Sequence, residues 1–365
     1  MRIVVKIGSS SLVAADGQPR IEVIEALVAD IATVAAAGHH VVIVSSGAIA
    51  TGLGILQRAT RPSELPALQA ASAVGQGALF AAWSSRFEAA GVRAAQVLLT
   101  MHDAAHRATW GNARNTLEQL LDWGVVPIVN ENDTTATDEI TFGDNDALAA
   151  QVAVAIRADA LVLLTDTDGL YTEHPDQPGA ELVREVDDHS LLRRVDTATS
   201  GSHWGSGGMR SKVVAAEMAS SGGVVTHIAN ASAPSVVRRI AAGETVGTRI
   251  AARERRGSAF KLWLEHAKVV RGTIVVDAGA RAAIVERGAS LLLVGIVDIQ
   301  GAFEPGDAVA VVEVDSDAPA FARGIAQYSS AELTRVALDA EAATRGAAAA
   351  IHRDELVLLG RQVAT

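Results

Sequence analysis

The sequence predicts an α/β protein, a doubly wound and mainly parallel sheet followed by a small, mostly-β domain. Three observations predict it. Up to about residue 230, short β-branched runs alternate with helical ones, which is the βαβ pattern. The strand-like runs are almost continuously apolar, as expected where helices cover both faces of a sheet. After about Thr248 the texture changes to short strands separated by turn residues.

In order, "IVVKIG" gives the first strand and "IEVIEALVADIATVAAAG" its helix. "HVVIVSSG" leads into an Ala/Gly/Leu stretch, and a long amphipathic segment follows from Leu65 to Ala90. "VRAAQVLLT" is the next strand, with a helical partner ending near Trp123. "VVPIVN" precedes a polar stretch and a helix from about Asp146 to Arg157. "ALVLLTD" comes next, then a glycine-rich stretch from Gly205 to Lys212, its helix, and the strand "GVVTHIAN". The expected organisation is a first domain over residues 1–252, an Arg-rich linker over 253–267, a β domain over 268–350 and a tail over 351–365. The Ala-rich "EAATRGAAAA" gives a weak helix signal.

The chain has 365 residues, 49% of them hydrophobic, and a formal net charge of -11. That composition supports a sizeable core and argues against a non-specific nucleic-acid or membrane-surface binder. From Lys268 onward 9 Lys and Arg face 13 Asp and Glu, so the second domain is acidic too. With no cysteine, disulfides, thiolate metal sites and a Cys nucleophile are excluded. The first residues go straight into a strand, without the pattern of a signal peptide. No apolar run approaches the ~20 residues that span a bilayer. A soluble, cytoplasmic protein with no membrane partner is expected.

Ligands of open α/β sheets bind at the carboxyl ends of the strands. Lys6 lies in an otherwise apolar first strand. A lysine there is costly unless it meets an anion, so phosphate contact is weighed against an edge lysine snorkelling outward. "SSGA", Ser45 to Ala48, offers hydroxyls and backbone N–H groups to a carboxylate or phosphate, against a plain N-cap serine. Residues 130 to 146 carry six carboxylates and three asparagines. Such a strand end fits a cleft that receives an ammonium group, with a solvated hairpin loop as the alternative. The D-x-D-x-D-G register of a calcium loop is absent. Thr165 and Asp166, in "TDTDGLYT", sit where a nucleotide lies in such a sheet, with a tight Asp-Gly turn as the alternative. "GSGGMRSK" is not a Walker A loop, because the G-x-x-x-x-G-K-[ST] spacing is not met. Its glycines still bring backbone N–H groups toward phosphates, and Lys212 adds a point charge. A flexible linker is the alternative there. No Ser-His-Asp order, HExxH or paired-His spacing occurs, and His39 and His40 open a strand as structural residues.

Taken together, these strand ends resemble the amino acid kinase family. Within it they look like the branch that phosphorylates free glutamate with ATP, the step that opens proline biosynthesis. The resemblance rests on "VVKIGSS", "SSGAIATG", Asn112 to Leu117, "VPIVNEND", "FGDND", "LLTDTDGLYT" and "GSGGMRSK", in the family's order over most of residues 1 to about 250. The last part resembles a PUA domain through "GTIVVDAGARAAIVERGASLL", "GAFEPGDAV" and "ARGIAQYSS". The resemblance implies the amino acid kinase fold, with ATP as co-substrate and Mg2+. It implies that Lys6 and Lys212 contact the ATP phosphates and the transferring phosphoryl group. Ser46, Asp133 and Asn145 are implied to hold glutamate. Thr165, Asp166 and the loop Ser206, Gly207, Gly208, Met209, Arg210, Ser211 and Lys212 are implied to meet the nucleotide. Asn130, Asp144 and Asp146 match supporting positions near the substrate. Ser206 stands where relatives often carry Thr, and the hydroxyl is kept.

The implied chemistry is self-consistent. A γ-carboxylate with an ordinary pKa of about 4.3 is ionised at neutral pH and needs no general base. The obstacle is an anion approaching a polyanion, met by positioning and neutralisation. Mg2+ is expected mainly on ATP oxygens, with no protein metal site assigned. Free glutamate presents an ammonium group for Asp133, which N-acetylglutamate lacks. Further partners implied are L-proline as a feedback inhibitor, a homo-oligomer (dimer or tetramer), and a glutamyl phosphate reductase that receives the product. Beside a reading of the last domain as an interaction or regulatory module, two other readings of the whole chain are weighed. One is a family member acting on another carboxylate such as N-acetylglutamate. The other is an RNA-associated protein, which the acidity of the PUA-like domain disfavours; Arg253 to Arg256 is the only local basic patch.

Overall fold

The computed structural model describes residues 1–100, 103, 107–136, 144–173, 175–187, 208–253, 259–266, 268–316, 318–338 and 348–359. The chain divides into two units, Met1–Ala259 and Phe260–Thr365. The first is built in chain order from β1 (Arg2–Ile7), α1 (Ser9–Leu12), α2 (Ile21–Ala36), β2 (His40–Val44), α3 (Ala48–Ile55), α4 (Leu65–Ala89), β3 (Arg93–Leu99) and α5 (Arg107–Asp122). It continues with β4 (Val125–Glu131), α6 (Asp144–Ala155), β5 (Ala160–Thr165), β6 (Glu185–Val186), α7 (Met209–Ser221), β7 (Val225–Asn230), α8 (Val236–Ala241) and β8 (Thr248–Ile250). The strands form an eight-stranded sheet in the order β3-β4-β2-β1-β5-β7-β8-β6. Every pairing is parallel except that of β7 with β8. The predicted fold class is the observed one.

β1 lies mid-sheet because it is apolar on both faces: Ile3, Val4, Val5 and Ile7 are all buried. Alternation sends Ile3, Val5 and Ile7 to one face, where they join Val162 and Leu164 of β5 and Trp83 and Phe87 of α4 in the main core. Val4 and Lys6 take the other face, on which α6 packs against β1 and α7 against β5 and β7. The chain leaves β1 toward β2 on one side and returns as β5 on the other. The carboxyl ends of β1 and β5 therefore flank the switch point where open α/β sheets hold ligands.

Glycines set the crossing of α3 and α4. A Cβ on Gly52 would stand 1.8 Å from the Ala71 carbonyl oxygen, and one on Gly75 would stand 1.9 Å from that of Ala48. Only residues without a side chain allow this approach. Further along α4, Trp83 Nε1 donates to Ser45 Oγ at 3.2 Å. The helix is thereby fastened to the end of β2.

The second unit comprises α9 (Ala259–His266), β9 (Val270–Val276), α10 (Ala278–Arg287), β10 (Leu291–Leu292), β11 (Ile296–Gly301), β12 (Ala308–Glu313), β13 (Ala322–Ile325), α11 (Ser330–Leu338), β14 (Ala349–Ile351) and β15 (Leu356–Leu358). Five strands run in the order β11-β9-β12-β13-β15, and β10 pairs with β14. Ile274, Val309, Phe303 and Leu333 belong to its core. α10 starts where Asp277 accepts from Ala280 N at 2.7 Å and stops at Gly288, in the left-handed conformation with φ 61.

Two expected boundaries are carried differently. The stretch read as a linker, 253–267, contains α9, whose Phe260, Leu262, Trp263 and Leu264 are buried. The Glu265 carbonyl accepts from Arg323 Nη1 at 2.7 Å, tying that helix to β13. Its apolar residues follow directly on an Arg run, and charge dominated the reading. The stretch read as a tail, 351–365, begins inside β14 and holds β15, which pairs with β13. Strands of three residues are too short to show alternation. Most of the Ala-rich stretch lies outside the described residues, and Ala349 and Ala350 at its end open β14. Among the described residues no helix is long and apolar enough to cross a membrane.

Candidate active site

Three buried charges meet at the carboxyl end of β1. Lys6 comes from β1, Asp146 from the first turn of α6 and Lys212 from the first turn of α7, with relative exposures of 3%, 0% and 3%. Lys6 Nζ lies 2.6 Å from Asp146 Oδ1, and Lys212 Nζ lies 3.5 Å from Oδ2. Ser211 Oγ donates to the same Oδ2 at 2.6 Å and stands 2.8 Å from the Gly208 carbonyl oxygen. Burial alone would push the Asp146 carboxyl up. The Lys212 and Lys6 charges and the hydrogen bonds from Lys6 and Ser211 outweigh it and bring the group down to about 2. Burial pushes the Lys6 ammonium below its ordinary value, the Asp146 charge opposes this, and the Lys212 charge adds to it. A helix N-terminus also favours the carboxylate on α6. Lys6 and Lys212 thus converge on one carboxylate at a strand end where open α/β sheets hold ligands.

A second cluster forms past the end of β4, two strands along. Asp133 is buried, and its Oδ2 accepts from Ser72 Oγ of α4 at 2.5 Å. Burial raises its pKa, while Ser72, the Arg61 guanidinium and its own backbone N–H pull the other way. Asn130 is buried beside it and donates through Nδ2 to Gln76 Oε1 at 2.7 Å. Asn145 precedes Asp146 on α6, and its Oδ1 is buried with no hydrogen-bond partner among the described residues. Ser45 and Ser46 are buried at the end of β2. The helix after them is capped by Gly47, in the left-handed conformation with φ 101, and by no side chain. The plain N-cap serine is therefore not what "SSGA" does.

The third group lies at the end of β5. Thr165 is buried and its Oγ1 donates to Asp166 Oδ1 at 3.1 Å, while Asp166 itself is exposed. Of the glycine stretch, Ser206 and Gly207 lie outside the described residues. Gly208 is the N-cap of α7, and Met209, Arg210, Ser211 and Lys212 form its first turn, with Arg210 exposed. Asp144 opens α6. Among the described residues no group of three or more His, Cys, Asp or Glu is placed to hold a metal.

The family model for the amino acid kinase family matches residues 1–230, which hold all three groups. The chain belongs to the amino acid kinase family. A PUA domain model matches residues 272–351. A glutamate 5-kinase from Cutibacterium acnes (strain DSM 16379 / KPA171202) is 46% identical across 99% of this chain and 93% of its own length. One from Burkholderia multivorans (strain ATCC 17616 / 249) is 47% identical across 91% of this chain and 89% of its own. In this family member, four residues around the Asp133 turn were not singled out from sequence: Gln69, Ser72 and Gln76, which hydrogen-bond to it, and Arg61, whose charge acts on Asp133. The available signal was three polar residues at helical spacing in a helix otherwise rich in Ala and Gly. Spacing tells which residues share a helix face, not which strand end that face meets.

Proposed function

We propose that the chain transfers the γ-phosphoryl group of ATP to the γ-carboxylate of L-glutamate, giving L-glutamyl 5-phosphate, the first step of proline biosynthesis. The observation that carries this reading is the pairing of a cationic cluster, Lys6 and Lys212 around Asp146, with a separate buried carboxylate, Asp133, two strands away. Two strand spacings are on the order of 10 Å. That is the scale of a five-carbon amino acid with its ammonium at Asp133 and its γ-carboxylate toward the lysines. The kinase family membership and the relatives named glutamate 5-kinase support the same substrate.

Each residue then has a task. Asp133 pairs with the substrate ammonium, and Ser46 and Asn145 hold the rest of glutamate, with Asn130 supporting the strand end. Thr165, Asp166 and residues 206–212 hold the nucleotide. Lys6 and Lys212 offset charge on the phosphoryl oxygens, and Asp146 keeps the two ammonium groups at fixed places between turnovers. An oxygen of the ionised γ-carboxylate bonds to the γ-phosphorus. The bond from that phosphorus to the β–γ bridging oxygen breaks, and ADP leaves with the electron pair. No proton has to be removed from the nucleophile, which fits a site with no histidine among its described residues. A Mg2+ arriving with ATP would be held mainly by phosphate oxygens and would offset their charge, since both Asp146 oxygens are engaged by Lys6, Lys212 and Ser211.

The reading also carries L-proline as a feedback inhibitor, because its ammonium and carboxylate suit the same Asp133 end. Assembly as a dimer or tetramer, a cytoplasmic location and hand-over of the reactive acyl phosphate to a reductase belong to it as well. The test is ADP release with ATP and Mg2+, with and without L-glutamate. Release that depends on L-glutamate is expected; the same release with and without it would overturn the reading.

A further inference from the structure

The Asp133 carboxylate is held from outside its own turn. Three side chains of α4 reach three successive points at and past the end of β4. Gln76 Oε1 accepts from Asn130 Nδ2 at 2.7 Å, Ser72 Oγ donates to Asp133 Oδ2 at 2.5 Å, and Gln69 Nε2 donates to the Ala136 carbonyl oxygen at 3.2 Å. Residues 69, 72 and 76 are spaced i, i+3, i+7 and form one stripe of the helix. The same helix is locked onto α3 by the Gly52 and Gly75 contacts and onto Ser45 by Trp83. One rigid element therefore fixes both the "SSGA" turn and the Asp133 turn relative to each other.

We propose that Ser72 is a positioning residue for the amino-acid substrate: its hydroxyl holds Asp133 Oδ2 and leaves Oδ1 to receive the substrate ammonium. This rests on the reading of Asp133 given above. Ser72 is buried, within a helix of small residues where alanine is the better helix former. A serine inside a helix commonly bonds back to the carbonyl four residues earlier; this one gives its single proton to a carboxylate on another element. That bond is charge-assisted, and it favours the ionised form of a carboxyl that burial pushes toward protonation. Among the described residues, the charged group facing Asp133 is the Arg61 guanidinium, from the loop ahead of α4, and it acts in the same direction. Without the Ser72 proton, Asp133 protonates at higher pH and its Oδ1 loses its fixed direction.

The experiment is steady-state kinetics of the full chain as Ser72→Ala, Asp133→Ala and the double variant, with L-glutamate and ATP varied separately across pH. Ser72→Ala is expected to raise the glutamate KM roughly tenfold, leave the ATP KM in place, and move the acid limb of glutamate binding to higher pH. In the Asp133→Ala background the Ser72 substitution adds nothing further. An unchanged glutamate KM in Ser72→Ala, alongside a raised one in Asp133→Ala, overturns the role of Ser72 and leaves the site reading intact. So does a loss in the double variant equal to the sum of the single losses, or an equal rise in both KM values. An unchanged glutamate KM in Asp133→Ala overturns the site reading and this inference together.

Discussion

Asp146 keeps its negative charge where burial alone would protonate it, because Lys212 and Lys6 stand on either side. The dependence is mutual: burial lowers the Lys6 pKa, and the Asp146 charge is the largest influence opposing it. Asp146→Asn should therefore let the Lys6 ammonium lose its proton at lower pH. The alkaline limb of the kcat profile is expected to move to lower pH, as a pH–rate comparison with the parent chain would show. An alkaline limb left in place would mean that Lys6 does not need its partner. Lys212→Ala should lower kcat by ~100-fold, with a smaller change in the glutamate KM, because its charge matters most as the phosphoryl group moves. An effect confined to the glutamate KM contradicts that role. Lys6 and Lys212 were legible in sequence because a lysine in an apolar strand and one at a glycine-rich helix start both call for an anion. The carboxylate between them was legible as a position but not as a bridge, since the distance between α6 and α7 in space leaves no mark on the chain.

At the scale of elements, α4 carries the most information that sequence reading left unused. Its extent, Leu65–Ala89, follows from composition, but its two tasks do not. The glycines look like weak points of a helix, at a cost of up to about 1 kcal/mol each relative to alanine. In the fold they permit a carbonyl contact that any Cβ would block. Gly75→Ala is expected to destabilise the chain by roughly 1–3 kcal/mol and to raise the glutamate KM, by pushing α4 away from the "SSGA" turn. Thermal unfolding and kinetics of the same variant check both; a stable protein with an unchanged KM would separate the helix crossing from substrate binding. The division between the two units falls inside the expected linker 253–267, but α9 within it went unread for a related reason. An eight-residue helix beside an Arg run shows too few periods to declare its apolar face.

For the whole molecule, the doubly wound sheet was legible because buried parallel strands are apolar throughout and recur between helices. Lys6, Thr165 and Asp133 lie on or just past three different strands, and only the strand order β4-β2-β1-β5 shows how near they come. A stability consequence follows from His227, buried on β7 of this sheet. Burial lowers its pKa to about 4 from 6.5; the Val246 hydrogen bond opposes this and the Arg249 charge adds to it. The unfolded chain binds the extra proton between those values. Stability is therefore fully present above pH 6.5 and is lost as pH falls toward about 4. The loss from this group is on the order of 3 kcal/mol. Urea unfolding at several pH values should show it, and His227→Gln should flatten the dependence in that window; an equally steep dependence in the variant contradicts the assignment.

The central claim is that an acidic strand end selects a free amino acid while two lysines carry the phosphoryl transfer. It is tested most directly by trapping acyl phosphate with hydroxylamine in the presence of ATP and Mg2+, with L-glutamate and N-acetyl-L-glutamate compared side by side. Hydroxamate from L-glutamate and none from the acetylated compound is the predicted result. Product from the acetylated compound alone would keep the kinase fold and contradict the role given to Asp133.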